Sequence, residues 1–131
     1  MRFAVLAVIL FTCACSNDPH VEEGLKAIDT FHQRLAAGDD DAIYNDSTPQ
    51  FKDGVSRFAF GGTLARIRQR MGTCSGWQTV RVTTKDYPGG TVSSMEGKTH
   101  CTKGELTELF AWRFENGVAR LYGYTANSPL M

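Results

Sequence analysis

An amphipathic stripe is the first periodic pattern beyond the apolar run at the N-terminus. Five apolar positions recur there at spacings of three and four residues: Val21, Leu25, Ile28, Phe31 and Leu35. This spacing predicts one helix with a single buried face. Asp18 and Pro19 suit the cap and the first turn of that helix, and Gly38 is placed to end it.

Two further helices are expected before the pattern changes. The acidic run Asp39–Asp41 begins a short helix through Tyr44, because carboxylates are favourable at a helix N-terminus. Pro49 and Gly54 then bracket a loop. The third helix is expected from about Thr63 to Met71.

From Gly76 onward the sequence is rich in β-branched residues, and turn signals divide it into strands. The four predicted strands cover about residues 78–84, 91–102, 105–115 and 118–126. The turns between them are Tyr87–Gly90, Lys103-Gly104 and Asn116-Gly117. Helices followed by such a meander predict an α+β fold, with N-terminal helices packed on one face of a four-stranded antiparallel sheet.

The Asn116-Gly117 turn assigns faces to the last two strands. A two-residue loop places Trp112 opposite Leu121, and Phe110 opposite Gly123. The face expected under the helices carries Leu106, Phe110, Trp112, Phe114 and Leu121. The other face carries Leu109, Ala111, Tyr122 and Tyr124, with Arg113 opposite Arg120. This second face is either an association surface or an ordinary solvated sheet face.

The N-terminus has the layout of an export signal. Arg2 is followed by the nine-residue apolar run 3–11, which is shorter than the roughly 20 residues of a membrane-spanning helix. The next segment, Thr12-Cys-Ala-Cys-Ser16, resembles the processing box of bacterial lipoproteins, with small residues on both sides of Cys15.

This layout divides the chain into three parts. We expect residues 1–14 to be a signal peptide, residues 15–18 to be a tether with lipid on Cys15, and residues 19–131 to form one domain. Cleavage after Ala14 by an ordinary signal peptidase, which gives a secreted protein without lipid, is the alternative.

An export signal also changes what the remaining cysteines are expected to do. Cys74 and Cys101 are left as a pair in an oxidising compartment. A hairpin centred on the turn at 87–90 places Cys101 opposite Gly76, two residues from Cys74. A disulfide between the two cysteines then needs little backbone movement. Two buried free thiols are the alternative.

Composition and charge limit the classes of function. The chain has 131 residues, enough for one domain, and its 14 basic residues balance its 14 acidic ones. A near-neutral chain has no strong field that would attract nucleic acid, so none is expected as a partner. The three histidines lack metal-ligand spacing, and neither a catalytic nor a cofactor motif is present. His32 is expected at the rim of the core.

Two segments resemble a known family. Phe31–Asp39 resembles the opening helix of nuclear transport factor 2-like (cystatin-like) domains, and Glu108–Tyr124 resembles their final hairpin. The resemblance covers about residues 20–128 and extends to small bacterial lipoproteins of unknown function. It implies a curved sheet wrapped against helices, a pocket in some members and dimers through the sheet. It does not imply one activity, since some relatives are isomerases or dehydratases and many are non-catalytic.

Three functional hypotheses follow. The first is a non-catalytic lipoprotein anchored in the bacterial envelope, facing the periplasm or the cell exterior, that binds a ligand, a second copy or another envelope protein. Its binding residues would be Leu109, Tyr122 and Tyr124 on the sheet face, or Phe58, Phe110 and Trp112 around a pocket. The second is a small pocket enzyme of the isomerase or hydrolase type, which requires a buried carboxylate between helices and sheet. The third is a structural or assembly lipoprotein.

Phe58 and Phe60 are both expected to pack in the approach to the third helix.

Overall fold

A computed structural model describes residues 18–131, so the predicted signal peptide and Cys15 lie outside the described residues. Within this range, helices come first: α1 (Pro19–Ala37), α2 (Asp40–Asn45), α3 (Pro49–Gly54) and α4 (Arg57–Met71). Strands follow: β1 (Cys74–Tyr87), β2 (Gly90–Cys101), β3 (Gly104–Glu115) and β4 (Val118–Asn127). The strands form one open antiparallel sheet in sequence order, with helices packed against it. The α+β class predicted from the sequence is confirmed.

Helix α1 begins and ends where its sequence predicts. The Asp18 side chain accepts a hydrogen bond from the His20 backbone N–H at 2.9 Å, and Gly38 ends the helix with a φ of 74°. The buried face is rotated from the predicted stripe, because Gly24 is buried and Leu25 is exposed. A Cβ at Gly24 would lie 2.5 Å from Met95 Cε, so the glycine allows the helix to approach the sheet closely.

The segment between α2 and β1 is more helical than predicted. Pro49–Gly54 is a helix rather than a loop, because Thr48 caps it and accepts a hydrogen bond from the Phe51 backbone N–H. Helix α4 starts at Arg57, well before Thr63, because the Ser56 side chain caps it in the same way.

The first turn of α4 separates Phe58 and Phe60, which were both expected to pack in the approach to the third helix. Phe60 is 4% exposed and belongs to the core. Phe58 is 92% exposed, so the prediction that it packs was wrong. The helical twist explains the difference, because residues two apart on a helix point to different faces.

The β1–β2 hairpin closes the expected disulfide, with a different register. Tyr87 pairs with Gly90, but two irregularities in β1, between Ser75 and Trp77 and between Thr79 and Arg81, shift the pairing. Cys74 rather than Gly76 therefore lies opposite Cys101. The two Cα atoms are 4.0 Å apart and the sulfurs are bonded, so the predicted disulfide is confirmed.

The β3–β4 hairpin carries one irregularity that changes the faces of β4. Trp112 pairs with Leu121, and Arg113 with Arg120, as predicted. The register then shifts, so Phe110 lies opposite Tyr124 instead of Gly123. Tyr124 consequently faces the core, and its predicted place on the outer face was wrong. No helix within residues 18–131 has the length and apolar content needed to cross a membrane.

Candidate functional site

A carboxylate is buried at the centre of the helix–sheet interface. Glu108 lies on the core-facing side of β3 between Leu106 and Phe110, and its side chain has no exposed surface. Burying such a group is costly unless hydrogen bonds satisfy it. The sequence carried a signal for it, because Glu108 is a polar residue at a core position of an alternating strand. We did not predict a buried carboxylate at this position.

Three side chains from three other elements satisfy Glu108. His32 on α1 has its Nε2 atom 2.7 Å from Glu108 Oε1. The Thr99 hydroxyl on β2 donates to the same oxygen. The Tyr124 hydroxyl on β4 donates to Oε2. His32 is buried in this cluster rather than at the rim of the core, so its predicted position was wrong.

Tyr124 is held in its neutral, hydrogen-donating form. Burial raises the pKa of its hydroxyl well above the ordinary value, and the negative charge of Glu108 and the hydrogen bond to it raise it further. The bulge in β4 makes this contact possible, because it turns Tyr124 from the outer face to the core.

Aromatic rings enclose this cluster. Phe31 and Phe110 each lie with their ring centroids 5.9 Å from that of His32. The ring of Tyr124 lies 4.8 Å from Phe31 and 5.0 Å from Phe110. A catalytic base must touch its substrate, and Glu108 presents no surface to one. The buried carboxylate that the enzyme hypothesis requires is therefore present, but it is covered. Through its hydrogen bonds the cluster links α1 to three strands.

A cavity of about 290 Å³ is lined by α1, by α2 and its C-terminal end, and by the β3–β4 hairpin, and Phe31 belongs to its lining. Its apolar lining includes Ala27, Phe31, Ile43, Trp112 and Leu121. Its charged lining consists of Glu23, Lys26, Arg34 and Asp46. The charged groups are paired: Arg34 lies 2.7 Å from Asp46, and Lys26 lies 3.2 Å from Glu23.

Trp112 is the aromatic residue that connects the cavity to the core. Its ring stacks on Phe110, with centroids 5.5 Å apart and an interplanar angle of 6°. Its indole Nε1 is buried and has no hydrogen-bond acceptor in the described part of the chain. A buried donor without an acceptor costs about 1–3 kcal/mol.

The structure distributes the six predicted binding residues over four environments. Phe110 and Trp112 stack together, and Trp112 lines the cavity. Phe58 is not beside them, because it is exposed on α4 while Phe110 is fully buried. Leu109 and Tyr122 are exposed by 38% and 39%. Tyr124 is inside, on Glu108. A role in binding for these residues stays a prediction.

Within residues 18–131, no three potential metal-binding side chains of His, Cys, Asp or Glu gather in one place. No protein-family model matches this chain, and no curated protein matches it either. The open antiparallel sheet with helices packed against it is compatible with the nuclear transport factor 2-like fold that two of its segments resemble.

Proposed function

We propose that this chain is an exported lipoprotein, anchored in the bacterial envelope through Cys15, whose domain binds a small apolar or amphipathic ligand. The observation that carries the binding role is the cavity between α1 and the β3–β4 hairpin. Its volume of about 290 Å³ is just below the range typical of small-molecule sites, about 300–1,000 Å³. An apolar floor with a few polar groups at the edge is typical of such sites.

Export is supported by two separate observations. The N-terminal sequence has a short apolar run followed by a lipoprotein-like box at Cys15. The domain also contains a disulfide between Cys74 and Cys101, and disulfides persist mainly in oxidising compartments. Both features favour the periplasm or the cell exterior as the location of the domain.

Binding is favoured over catalysis because the ionisable groups of the buried Glu108 cluster are covered and those that line the cavity are paired. Glu108 is enclosed with His32 and Tyr124. Arg34 at the cavity is paired with Asp46. Trp112 adds an aromatic ring to the lining of the cavity, which suits an apolar ligand.

A fluorescent amphiphile tests the binding role directly. The probe is anilinonaphthalene sulfonate, titrated into the mature chain with Cys15→Ser. We expect saturable binding, weakened by about tenfold or more in Ala27→Phe, because the new ring fills the cavity. Ala36→Phe is the matched control, since Ala36 is exposed near the end of the same helix and does not line the cavity.

A second control separates the cavity from the sheet face. The double variant Leu109→Ala, Tyr122→Ala removes the two exposed apolar side chains on the outer face, and we expect it to bind the probe normally. Loss of binding in this variant, with normal binding in Ala27→Phe, would move the site to the sheet face.

A further inference from the structure

The first turn of α1 lies close to the turns of two hairpins, β1–β2 and β3–β4. The His20 ring lies 4.6 Å from the ring of Phe114. Phe114 pairs with Thr91 on one side and with Ala119 on the other, so it lies beside the β1–β2 turn and the β3–β4 turn. We call this part of the domain the hairpin end: the first turn of α1, the turn Tyr87–Gly90 and the turn Asn116-Gly117.

The length of chain before α1 places the hairpin end near the anchor. Three residue steps separate Cys15 from Asp18, and an extended chain spans about 3.3–3.6 Å per residue, so the tether reaches roughly 11 Å. A lipid on Cys15 is embedded in the bilayer. If Cys15 carries the proposed lipid, so short a tether holds the start of α1, and with it the hairpin end, close to the membrane surface.

The surface of the hairpin end suits that position. Tyr87 and Val118 are both more than half exposed, at 54% and 53%, one beside each turn. Tyrosine is favourable at the membrane–water interface, because its ring is apolar and its hydroxyl is polar.

The cavity reaches the hairpin end. Gly117, Val118 and Ala119 belong to its lining, together with Glu23 and Lys26 from the early part of α1. The opposite end of the lining carries Arg34 and Asp46, whose ion pair connects α1 to the end of α2. The cavity therefore extends from the membrane-facing turn of the β3–β4 hairpin toward an ion pair farther from the bilayer.

We infer that the ligand of this cavity is the acyl chain of a membrane lipid, which enters from the bilayer at the hairpin end. This inference rests on the proposed anchor and on the proposed binding role of the cavity. The apolar floor of Phe31, Ile43 and Leu121 would hold the chain. A polar headgroup would stay at the interface beside Glu23 and Lys26, whose side chains are 45% and 65% exposed.

Tryptophan quenching by brominated lipid tests the inference on the full chain. The protein is expressed with its leader, purified from membranes and reconstituted into phosphatidylcholine vesicles, with acyl chains either plain or brominated at mid-chain. The Trp77→Phe background leaves Trp112 as the emitter. Bromine quenches at short range, so we expect brominated vesicles to remove most of the Trp112 emission. Adding Ala27→Phe should restore it.

A second background controls for simple proximity to the bilayer. Trp112→Phe leaves Trp77, which pairs with Thr99 on the part of the sheet nearer the disulfide and does not line the cavity. We expect the Trp77 emission to be the same in both kinds of vesicle. Intact mass of the reconstituted protein establishes whether Cys15 carries acyl groups.

Three results would overturn the inference. Quenching that persists in Ala27→Phe would mean that lipid meets Trp112 outside the cavity. A mass without acyl groups would remove the orientation on which the inference depends. Absence of quenching would exclude the acyl chains of the vesicle lipid as the ligand; it is also the result expected if the protein's own unbrominated anchor fills the cavity, and either case overturns the inference. If the soluble amphiphile still binds the cavity, only this inference fails; if it does not, the proposed binding role fails as well.

Discussion

The hydrogen bond from Tyr124 to Glu108 joins two groups that are both shielded from water. The Glu108 side chain has no exposed surface, and the Tyr124 hydroxyl points inward to it. A tyrosine is protonated at neutral pH at its ordinary pKa of about 10, and burial and the adjacent carboxylate raise the pKa of Tyr124 further. The donor that Glu108 Oε2 needs is therefore always available there.

Tyr124→Phe tests this bond. Removing the hydroxyl leaves a buried carboxylate oxygen without its donor, so we expect the free energy of unfolding to fall by about 1–3 kcal/mol. Urea denaturation at neutral pH measures the loss. Tyr87→Phe is the matched control, because Tyr87 is largely exposed, and it should leave the stability unchanged.

Tyr124→Phe, compared with the unaltered protein, also carries a prediction about the pH dependence of stability. The folded pKa of Tyr124 is raised above the unfolded value of about 10. Its contribution to stability is therefore complete below about pH 10 and is lost as the pH rises through the folded pKa. Tyr124→Phe should lose less stability over that alkaline range than the unaltered protein does. Equal alkaline losses in both would contradict this assignment.

Strand β2 depends on a glycine where β1 is irregular. Gly97 lies opposite Thr79, next to the register shift between Thr79 and Arg81. A Cβ at Gly97 would lie 2.4 Å from the backbone oxygen of Gln78 and 2.6 Å from two atoms of the Trp77 ring. The backbone oxygen cannot move away as the end of a flexible side chain can, so position 97 requires glycine.

Two glycine-to-alanine changes should therefore have opposite effects. Gly97→Ala should destabilise the protein by about 1–3 kcal/mol, because it overpacks the β1–β2 hairpin. Gly62→Ala should stabilise it by about 0.5–1 kcal/mol, because Gly62 lies within α4 and a Cβ there meets nothing within 4 Å. Urea midpoints of the two variants compare them; a neutral Gly97→Ala would mean that the hairpin can move apart at this point.

The disulfide stabilises the far end of the same hairpin. It joins residues 27 apart in sequence, and a loop of that size is expected to contribute about 3–4 kcal/mol. We expect the double variant Cys74→Ala, Cys101→Ala to lose that amount in urea denaturation. Reductant should bring the unaltered protein to the same midpoint and leave the variant unchanged. A reductant effect on the variant would point to a different cause.

At the scale of the whole molecule, the helices and the sheet are joined by the Glu108 cluster and leave a cavity between them, and Phe31 belongs to both regions. Phe31 contacts Tyr124 through its ring and also lines the cavity. Filling the cavity therefore places a ligand against the residue that covers the Glu108 cluster. Phe31 thus links the packing around the cavity to the packing around the Glu108 cluster.

The anchor is tested on the whole protein in its native membrane. We expect an intact mass for residues 15–131 plus a diacyl or triacyl group, rising by two hydrogens on reduction of the disulfide. Cys15→Ser should move the protein from the membrane fraction to the soluble fraction. Cys74→Ala, Cys101→Ala is the matched control and should stay in the membrane. An unlipidated mass that begins after Ala14 would make the protein a secreted one.

The sequence by itself determined the fold class, the order of the elements apart from α3, the ends of α1 and the turns between the strands. These features depend on local chemistry: Asp18 and Gly38 cap and end α1, and the Asn116-Gly117 turn has the left-handed backbone that its residues favour. The pairing of Cys74 with Cys101 was also predictable, because only a hairpin turn between them was needed. Thr48-Pro49 and Ser56 were equally local signals for the start of a helix, and we did not use them.

Only the tertiary structure decided the faces of β4 and the site. A single irregular position in a strand moves every later side chain to the opposite face, so Tyr124 reached Glu108 instead of the outer surface. His32 and Glu108 are 76 residues apart, and their contact depends on how α1 crosses the sheet. The cavity exists for the same reason, because the space between α1 and the β3–β4 hairpin is set by packing and not by any local pattern of residues.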